Sequence, residues 1–409
     1  MLRRRRIVVV GAGFAGLVAA TAISRRYAVT VVDPRAAFEW TPNIHEILSG
    51  VKNRRDVLLD SRALVENAGH RFMQDAVDRL DAGARRVHTA SGASLDYDAC
   101  LLAPGGIRAR GGVTGAAQHA VDFRHAGDAA VIGERLTAIA GRGRASVVII
   151  GGGVSGIEAL GEILRRHRDE QGLTVHVVER EPEILPGLPP ALAADVRARC
   201  AGLRVHWHTG AAVSRLTAKS VVLASGERLP ADLAIWSAGL TPPPFLAESG
   251  LIPDGRGWVP VRDTLQSDAS PALFVAGDCA GLSEPLRKQA YHALDMGEYA
   301  AWNLQHYLRG RPLKPFRPAH KPLLISLGDL DTYLVAGGTV LASPLLAAAK
   351  EGVYQYYMAS LSLGLPAPRL AAGLFSRATN VLRKQVLPDA FSCASLARVR
   401  GSRIVSAAD

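Results

Sequence analysis

Short apolar runs, each followed by closely spaced glycines, recur along the chain. Residues 7–10 (IVVV) form the first run, and an alanine-rich stretch typical of a helix extends from the glycines to about Arg26. A second run at residues 29–32 ends in Asp33. Strands that are buried on both faces read as continuous apolar runs, so this order predicts a parallel β-α-β unit.

The first apolar run has an alternative interpretation. Arginines at positions 3–6 precede it, and a charged stretch before an apolar one is typical of a signal peptide. Regularly spaced glycines interrupt the apolar stretch, however, and such spacing has no purpose in a cleaved leader. We therefore favour a strand that runs into a glycine loop.

The loop between the two predicted strands has the spacing G-x-G-x-x-G. Its glycines let the backbone turn tightly and approach a pyrophosphate at the positive end of a helix. Asp33, at the end of the second strand, can accept hydrogen bonds from a ribose diol. The positions expected against a cofactor are Gly11, Gly13, Phe14, Ala15, Gly16, Asp33, Pro34 and Arg35.

The same pattern returns some 140 residues further along the chain. Apolar residues 146–150 lead into a second G-x-G-x-x-G loop, a helix is predicted to Arg166, and a strand at residues 173–178 precedes Glu179. Two such units indicate two nucleotide-containing cofactors, or a duplicated fold that has lost one site. Both copies keep all three glycines and the acid, which favours two sites. The second set comprises Gly151, Gly153, Val154, Ser155, Gly156 and Glu179.

Three further apolar strands end in glycine turns. The first closes on Ala103, Pro104 and Gly105, and the second, which follows the second β-α-β unit, closes on Ala238 and Gly239. The third closes on Gly277 and Asp278, where the aspartate could bond a sugar-like chain. These turns add to the expected cofactor-binding positions.

Composition and charge narrow the class of protein. The chain has 409 residues, too many for one ordinary domain, and 48% are hydrophobic, which allows a sizeable core. A net charge of +11 favours an anionic partner, such as nucleic acid, an acidic membrane or a phosphorylated cofactor. We find no aromatic-basic interleaving or helix-turn-helix pattern, so no nucleic acid partner is expected. No apolar stretch approaches the roughly 18 residues of a membrane-spanning helix.

The four cysteines are widely separated in the sequence. Cys100, Cys200, Cys279 and Cys393 form no close pair, which argues against a structural zinc site, a dithiol redox pair or a disulfide scaffold. We expect a reduced, cytoplasmic setting and no metal.

The order of these landmarks resembles that of flavoprotein reductases with two dinucleotide-binding domains, over roughly residues 5–305. The resemblance implies that the first cradle binds FAD, that the second binds NAD(P)H, and that Gly277 and Asp278 return to the FAD ribitol. It also places Ala76 and Val77 beside the adenine, and Lys288, Gln289 and Ala290 at the start of a helix near the isoalloxazine. Pro104 replaces the threonine of the usual Ala-Thr-Gly turn, which removes one backbone donor.

Several stretches resemble one branch of that family, the type II NADH:quinone dehydrogenases and the related ferroptosis-suppressor quinone reductases. These are the loop at residues 41–50, the helix start at residues 287–293 and the strand at residues 321–328. The resemblance adds Thr41 to the cofactor contacts and places Glu158 near the nicotinamide and the quinone. Sulfide:quinone reductases need redox cysteines near the flavin, whereas Cys279 is expected to be a small core residue.

His45 and Glu158 are the catalytic candidates, and each has a simpler explanation. His45 could be a core histidine or stand at a helix start, and Glu158 could be an acid in the first helical turn, where the helix dipole favours it. Glu179 as a ribose ligand favours NADH, because a 2′-phosphate would meet its negative charge. Arg180 beside it leaves NADPH open.

The predicted fold class is α/β, with two Rossmann-like domains, the NADH domain inserted in the FAD domain, and a smaller C-terminal α+β region. The expected boundaries are residues 1–115 and 257–322 for FAD, 116–256 for NAD(P)H and 323–409 for the remainder. Within the last region, strands are predicted at residues 323–346 with a Gly337–Gly338 turn, and a helix at residues 350–363.

A second C-terminal helix is predicted after the proline-rich break at residues 365–368. Its apolar positions share one face and alternate with arginines and lysine; they are Leu370, Leu374, Phe375, Ala378, Val381 and Leu382. A basic amphipathic helix of this kind can lie in a membrane interface, or it can pack on its own domain or on a twin subunit. We favour the membrane, because a lipid-soluble quinone has to reach the flavin.

The resulting hypothesis is an FAD-dependent NADH:quinone oxidoreductase that pumps no protons and is peripheral on the inner face of the cell membrane, with a homodimer left open. One alternative is a soluble reductase that donates electrons to a ferredoxin-like protein. The other is a non-catalytic FAD- and NAD-binding protein that reports redox state to partners.

Overall fold

The computed structural model describes residues 4–141, 143–319, 321–343, 345–362 and 401–405. The helices are α1 (Phe14–Ala22), α2 (Glu46–Ser49), α3 (Ser61–Asn67), α4 (Ala116–His119), α5 (Ala126–Ala140), α6 (Val154–His167), α7 (Pro190–Arg199), α8 (Pro244–Glu248), α9 (Ala290–Tyr307) and α10 (Leu345–Ser362).

The strands of the first third are β1 (Arg6–Val10), β2 (Ala28–Asp33), β3 (Ala37–Glu39), β4 (Leu58–Asp60), β5 (Arg71–Gln74), β6 (Val77–Asp81), β7 (Arg86–Thr89), β8 (Ser94–Asp96), β9 (Ala99–Leu102), β10 (Ile107–Arg108) and β11 (Ala120–Asp122). The middle third contains β12 (Ala145–Ile150), β13 (Leu173–Val178), β14 (Val205–His208), β15 (Val213–Thr217), β16 (Ser220–Leu223), β17 (Arg228–Pro230), β18 (Leu233–Trp236) and β19 (Leu240–Thr241). The remaining described strands are β20 (Val259–Pro260), β21 (Gln266–Ser267), β22 (Ser270–Val275), β23 (Ala280–Gly281), β24 (Leu323–Leu327), β25 (Asp331–Ala336), β26 (Thr339–Ala342) and β27 (Arg403–Val405).

The first large sheet has the order β21-β22-β9-β1-β2-β5, with all neighbours parallel except β21. Ile7 pairs with Val29 on one side and with Ala99 on the other, so β1 is a central strand. This confirms the strand interpretation of the first apolar run. Helix α1 packs against α9, where a Cβ on Gly297 would lie 2.3 Å from the Ala15 carbonyl oxygen.

The second large sheet is fully parallel, in the order β11-β18-β12-β13-β14. Its residues all lie between β9 and β22 of the first sheet, so the chain leaves one Rossmann-like unit, builds another and returns. The outgoing strand β10 and the returning strand β19 pair antiparallel, with Ile107 opposite Thr241. The α/β class with an inserted second unit is confirmed.

A small C-terminal sheet completes the described structure. Strands β24, β25, β26 and β27 are antiparallel, and Gly337 and Gly338 form the expected turn between β25 and β26. Helix α10 begins five residues earlier than predicted, at Leu345, and ends at Ser362. The predicted amphipathic helix at residues 370–382 lies outside the described residues.

Besides the start of α10, the predicted end of α1 was wrong. Helix α1 ends at Ala22 rather than near Arg26, because Ile23 adopts an extended backbone conformation and Tyr27 N–H then donates to the Ser24 carbonyl in a turn. Among the described helices, none has both the length and the apolar character needed to cross a membrane.

Arg403 fastens the last described strand to the rest of the molecule. Its guanidinium lies 2.5 Å from Asp195 on α7 and 2.7 Å from Asp331 on β25. Tyr333 O–H donates to the same Asp195 carboxylate at 2.7 Å, and Arg199 lies 3.3 Å from Asp331. One cation therefore joins the C-terminal sheet to a helix of the second Rossmann-like unit.

We expect Arg403→Met to lower the free energy of unfolding by about 2 kcal/mol, because two partly buried carboxylates lose charged hydrogen bonds. Urea denaturation would measure this loss. Arg262→Met is the matched control, because Arg262 and its partner Asp268 are both largely exposed, and such a pair contributes at most about 1 kcal/mol. Equal effects of the two substitutions would contradict the assignment.

Candidate active site

The first glycine loop is shaped by backbone contacts at its two outer glycines. Gly11 has a φ of +95°, and a Cβ there would lie 2.3 Å from the Ala103 carbonyl oxygen. A Cβ on Gly16 would lie 1.9 Å from the Gly11 carbonyl oxygen. A Cβ on Gly13 would meet no atom within 4 Å. The outer glycines are therefore needed because other backbone atoms pack directly against them, whereas the middle glycine faces open space at the N-terminus of α1.

The second loop repeats this arrangement. Gly151 has a φ of +109°, and a Cβ there would lie 2.8 Å from Ala238 N. A Cβ on Gly156 would lie 1.9 Å from the Gly151 carbonyl oxygen, while Gly153 again faces open space. Neither cradle is filled by protein atoms, so the geometry of both suits a pyrophosphate at a helix N-terminus.

An acid follows the second strand of each unit and is fixed by backbone donors. Asp33 accepts hydrogen bonds from Ala12 N–H at 2.7 Å and Arg35 N–H at 2.8 Å. Glu179 accepts them from Gly152 N–H at 2.8 Å and Glu181 N–H at 3.0 Å. Each carboxylate is thereby held against its own glycine loop, where a ribose diol would lie.

Both loops open into one cleft of about 780 Å³, within the size range of small-molecule sites. Predicted cofactor positions that line it are Gly13, Phe14, Ala15, Asp33, Arg35, Thr41, Ala103, Pro104, Gly105, Gly153, Val154, Ser155, Gly239, Gly277, Asp278, Lys288, Gln289 and Ala290. The catalytic candidates His45 and Glu158 line it too.

The other predicted cofactor positions lie outside the cleft lining. Gly11, Gly16, Gly151 and Gly156 make the backbone contacts behind the loops, and Ala238 packs against Gly151. Pro34 follows Asp33, and Ala76 and Val77 follow Asp75, whose N–H donates to the Asp33 carbonyl at 3.2 Å. Glu179 lies against the second loop.

Two partly buried guanidiniums line the cleft, and the sequence prediction did not include them. Arg108 donates to the carbonyls of Phe123 and Ser237, the latter at 2.7 Å. Arg124 lies 4.0 Å from Asp278. Burial lowers the pKa of both guanidiniums, that of Arg108 to about 10. The charge of Arg124 adds to the lowering at Arg108, and that of Arg35 adds to the lowering at Arg124. A pair of partly buried cations facing a cleft favours an anionic ligand.

The polar groups at the start of α9 suit a hydrogen-bonding ring system. Burial raises the pKa of Asp278 against the opposing effect of Arg124 and Lys288. Lys288 donates to the Ala280 carbonyl at 2.9 Å and lies over the Trp258 ring. Gln289 Oε1 is buried and accepts no hydrogen bond from any residue that the structure describes. Together with the open glycine loops and the two guanidiniums, these groups fit a flavin dinucleotide.

Glu158 and His45 meet at the far side of the cleft. Lys350 Nζ lies 2.5 Å from Glu158 Oε1 and 3.2 Å from His45 Nε2, and Ser326 N–H donates to Glu158 Oε1 at 3.3 Å. His45 Nδ1 lies 3.9 Å from Glu158 Oε2. Burial raises the pKa of Glu158, although Lys350 opposes the rise.

The simpler explanations of these two residues do not hold alone. Glu158 stands in the second turn of α6 rather than the first, so the helix dipole does not account for it. His45 is buried, as a core histidine would be, but it contacts a cation. Burial and the neighbouring cations Lys350, Arg165 and Lys52 lower the pKa of His45 well below its ordinary value. The ring is therefore neutral at physiological pH and accepts from Lys350.

Lys350 was missed by the sequence prediction. It lies on α10, where Leu346, Lys350, Tyr354 and Met358 form the buried face at every fourth position. A single lysine on an otherwise apolar face is the signal that could have identified it, because a lysine is almost never buried unless paired.

Cys279 behaves as the expected small core residue. It is buried, its thiol donates to the Ala276 carbonyl at 3.4 Å, and burial raises its pKa to about 12. A thiol with so high a pKa is a poor nucleophile.

The fold and the two cradles together define a class, the oxidoreductases that hold two dinucleotides at one cleft. The chain belongs to the pyridine nucleotide-disulphide oxidoreductase family, whose model matches residues 5–297.

Relatives with known names lie in the predicted branch. The chain is 26% identical to the demethylphylloquinone reductase of Synechocystis over 375 aligned residues. The alignment covers 86% of this chain and 92% of that protein. It is 26% identical to the type II NADH:quinone oxidoreductase of Staphylococcus aureus over 380 aligned residues, and this alignment covers 85% of this chain and 94% of that protein. The solved NDH2 of Plasmodium falciparum in complex with NADH shares the fold, with a TM-score of 0.79 at 15% identity over 86% of this chain and 94% of that chain. The resemblance predicted from the sequence is confirmed.

We expect Gly13→Val and Gly153→Val to have different effects on the two cradles. Both positions have a negative φ, near −75° and −72°, so valine fits the backbone but fills the open space. Gly13→Val should remove the bound flavin, measured as flavin absorbance per protein. Gly153→Val should keep the flavin, but NADH should no longer bleach it.

The control for these variants is Gly127→Ala in α5, where an added Cβ meets no atom within 4 Å. It should retain both flavin and bleaching. A Gly13→Val protein that still holds flavin would show that the first cradle is misassigned.

Proposed function

We propose that the protein is an FAD-dependent NADH:quinone oxidoreductase that pumps no protons. The observation that carries this proposal is the single cleft in which two open glycine cradles meet the buried Glu158–Lys350 pair. The names of the relatives support the same activity. The chemistry that bound FAD supplies is acceptance of a hydride from NADH and transfer of two electrons to a quinone.

The residues of the chain hold the reactants and exclude water. The outer glycines set the two helix N-termini, Asp33 and Glu179 bind the ribose diols, and Asp278 bonds the ribitol. Arg108 and Arg124 neutralise phosphate charge from the side of the cleft. Holding the reacting rings in contact removes much of the entropic barrier to transfer.

The wall beside Glu158 suits the ring of a quinone. It is built from Tyr291, Leu323, Leu324, Val353 and Tyr357, all of which line the cleft. Tyr357 stacks on Trp40 with ring centroids 5.2 Å apart and lies 5.7 Å from Tyr291, so its position is fixed by packing. A flat ring with two carbonyls would find apolar contacts here and a donor in Lys350.

Glu179 favours NADH over NADPH in this arrangement. Two backbone donors hold its carboxylate at the place of the ribose, so a 2′-phosphate would meet a fixed negative charge. Arg180, the cation next to Glu179 in the sequence, is largely exposed and pairs with Glu181. NADPH is therefore the weaker substrate.

The proposal includes the catalytic residues and the domain boundaries. Glu158 and His45 act at the quinone, with Lys350 between them. The FAD domain comprises residues 1–115 and 257–322, the NADH domain residues 116–256, and the C-terminal region residues 323–409. The strand membership of the two large sheets supports this division.

Anaerobic titration of the purified protein with NADH, followed by separate oxidants, tests the proposal. The flavin absorbance should bleach with one equivalent of NADH and return on addition of a short-chain quinone. Reoxidation by ferricyanide but not by quinones would contradict the proposal and fit a donor to a ferredoxin-like protein. Slow bleaching with NADH and no effective oxidant would contradict it and fit a non-catalytic binding protein.

We further propose that the protein is peripheral on the inner face of the cell membrane, held by the basic amphipathic pattern at residues 370–382. The apolar positions on one helical face and the interspersed arginines of the sequence support this. A homodimer stays a prediction of the sequence.

Replacing Leu374, Phe375, Val381 and Leu382 by serine should release the protein from liposomes that contain anionic lipid, measured by co-sedimentation. A truncation before Pro366 is a poorer test, because it also removes β27 and the Arg403 ion pairs. Ferricyanide reduction should be unchanged and serves as the control for folding. Retained liposome binding would eliminate this anchor.

A further inference from the structure

Reduction of a quinone by NADH consumes one proton from solution. NADH supplies a hydride, which is two electrons and one proton, while a quinone needs two electrons and two protons to become a quinol. The balance is NADH + quinone + H⁺ → NAD⁺ + quinol. This inference rests on the proposed function, and it concerns the path by which that proton arrives.

The groups at the quinone side of the cleft are themselves shielded from solvent. Glu158, His45 and Lys350 are each less than 10% exposed. The cleft offers them water when it is empty, but a nicotinamide and a quinone that occupy it displace that water. A proton that reaches Glu158 in the loaded protein therefore has to cross the protein behind the cleft.

Glu162 stands one helical turn beyond Glu158, so the two residues share one face of α6. It is completely buried, and its carboxyl oxygen Oε1 has no hydrogen-bond partner among the described residues. The other oxygen accepts from the Ser49 hydroxyl and lies 3.5 Å from Arg165 Nε. Ser49 and the Arg165 side chain are both partly exposed, so this acid connects the interior to the surface.

The charged groups around Glu162 come from three elements. Glu46 is the first residue of α2, Glu158 and Arg165 belong to α6, and Lys350 belongs to α10. Burial raises the pKa of Glu162, and Glu46 acts in the same direction, while Ser49, Arg165 and Lys350 oppose the rise. A carboxyl whose pKa lies closer to neutrality exchanges protons at physiological pH more readily than an exposed one.

A second series of charged residues, Glu46, Lys52 and Glu351, leads to the surface, but ion pairs keep these groups from passing a proton. Lys52 Nζ lies 2.6 Å from Glu351 and 3.3 Å from Glu46. Burial disfavours the Lys52 ammonium, but the two carboxylates outweigh burial and raise the pKa of Lys52, so the ammonium keeps its proton. Its Nζ also lies 4.4 Å from the centre of the Tyr354 ring, which leaves little room for water.

We propose that Glu162 relays the solvent proton to the Glu158–Lys350 pair, with entry between Ser49 and Arg165. Glu162 touches neither the cofactors nor the quinone, and it acts through Glu158. The uncommitted oxygen Oε1 is the atom that receives or releases the proton on the interior side.

The test is Glu162→Gln in the flavin-loaded protein, studied by stopped-flow absorbance. Glutamine can still accept from the Ser49 hydroxyl but cannot relay a proton as a carboxyl does. Bleaching by NADH, which takes no solvent proton, should stay within twofold of the unsubstituted protein. Reoxidation by a short-chain quinone should slow at least ~10-fold, with a larger solvent isotope effect, as expected for loss of a proton-transfer group. Reoxidation by ferricyanide, which needs no proton, should be unchanged.

Two further variants guard against a folding defect and against the second route. Ser49→Ala leaves α6 intact and should slow the quinone step by a smaller factor. Glu351→Gln changes the outer end of the Lys52 chain and should leave the quinone step unchanged. Normal quinone reoxidation in Glu162→Gln, equal slowing with both oxidants, or slowing in Glu351→Gln instead would each overturn the proposal. If the unsubstituted protein is not reoxidised by quinones, the proposed function fails first, independently of the relay.

Discussion

Close backbone contacts at glycines determine where every functional group of this protein lies. In both Rossmann-like units the third glycine of the loop allows the helix to approach the carbonyl of the first glycine. A Cβ on Gly16 would lie 1.9 Å from the Gly11 oxygen, and a Cβ on Gly156 would lie 1.9 Å from the Gly151 oxygen. Helix α6 makes a further contact of this kind, because a Cβ on Gly161 would lie 2.3 Å from Gly328 N. That contact brings the C-terminal sheet against α6, and it explains how Ser326 reaches Glu158.

The charges buried around the cleft divide into two groups with different roles. Among the described residues, the one ion pair found for Arg108 and Arg124 is the 4.0 Å contact between Arg124 and Asp278, so a ligand with negative charge would complete their environment. Lys350, in contrast, is already paired with Glu158 and neutral His45. A buried ion pair costs desolvation free energy. Because the Glu158–Lys350 pair lies beside the apolar wall of the cleft, we interpret it as kept for chemistry rather than for stability.

Sequence reasoning succeeded for features encoded in one continuous segment and failed for contacts between residues far apart in the sequence. The two glycine loops, their acids and the strands around them were predicted because each β-α-β unit is continuous in the sequence. The end of α1 was wrong by about four residues, because a turn at Ser24–Tyr27 ends the helix and nothing in the alanine-rich stretch announces it. Glu158 was identified by resemblance, but its place in the second helical turn became clear only from the structure.

By itself, the sequence determined the α/β class and the presence of two cradles, since glycine spacing and apolar runs are local consequences of sterics and burial. The insertion of one unit in the other was implied by the family resemblance. Tertiary structure alone decided which groups share the cleft. Lys350 lies 192 residues from Glu158, and Arg124 lies 154 residues from Asp278, yet each pair meets within 4.0 Å. Such contacts depend on how sheets and helices pack against one another, and packing is a property of the whole chain rather than of any segment.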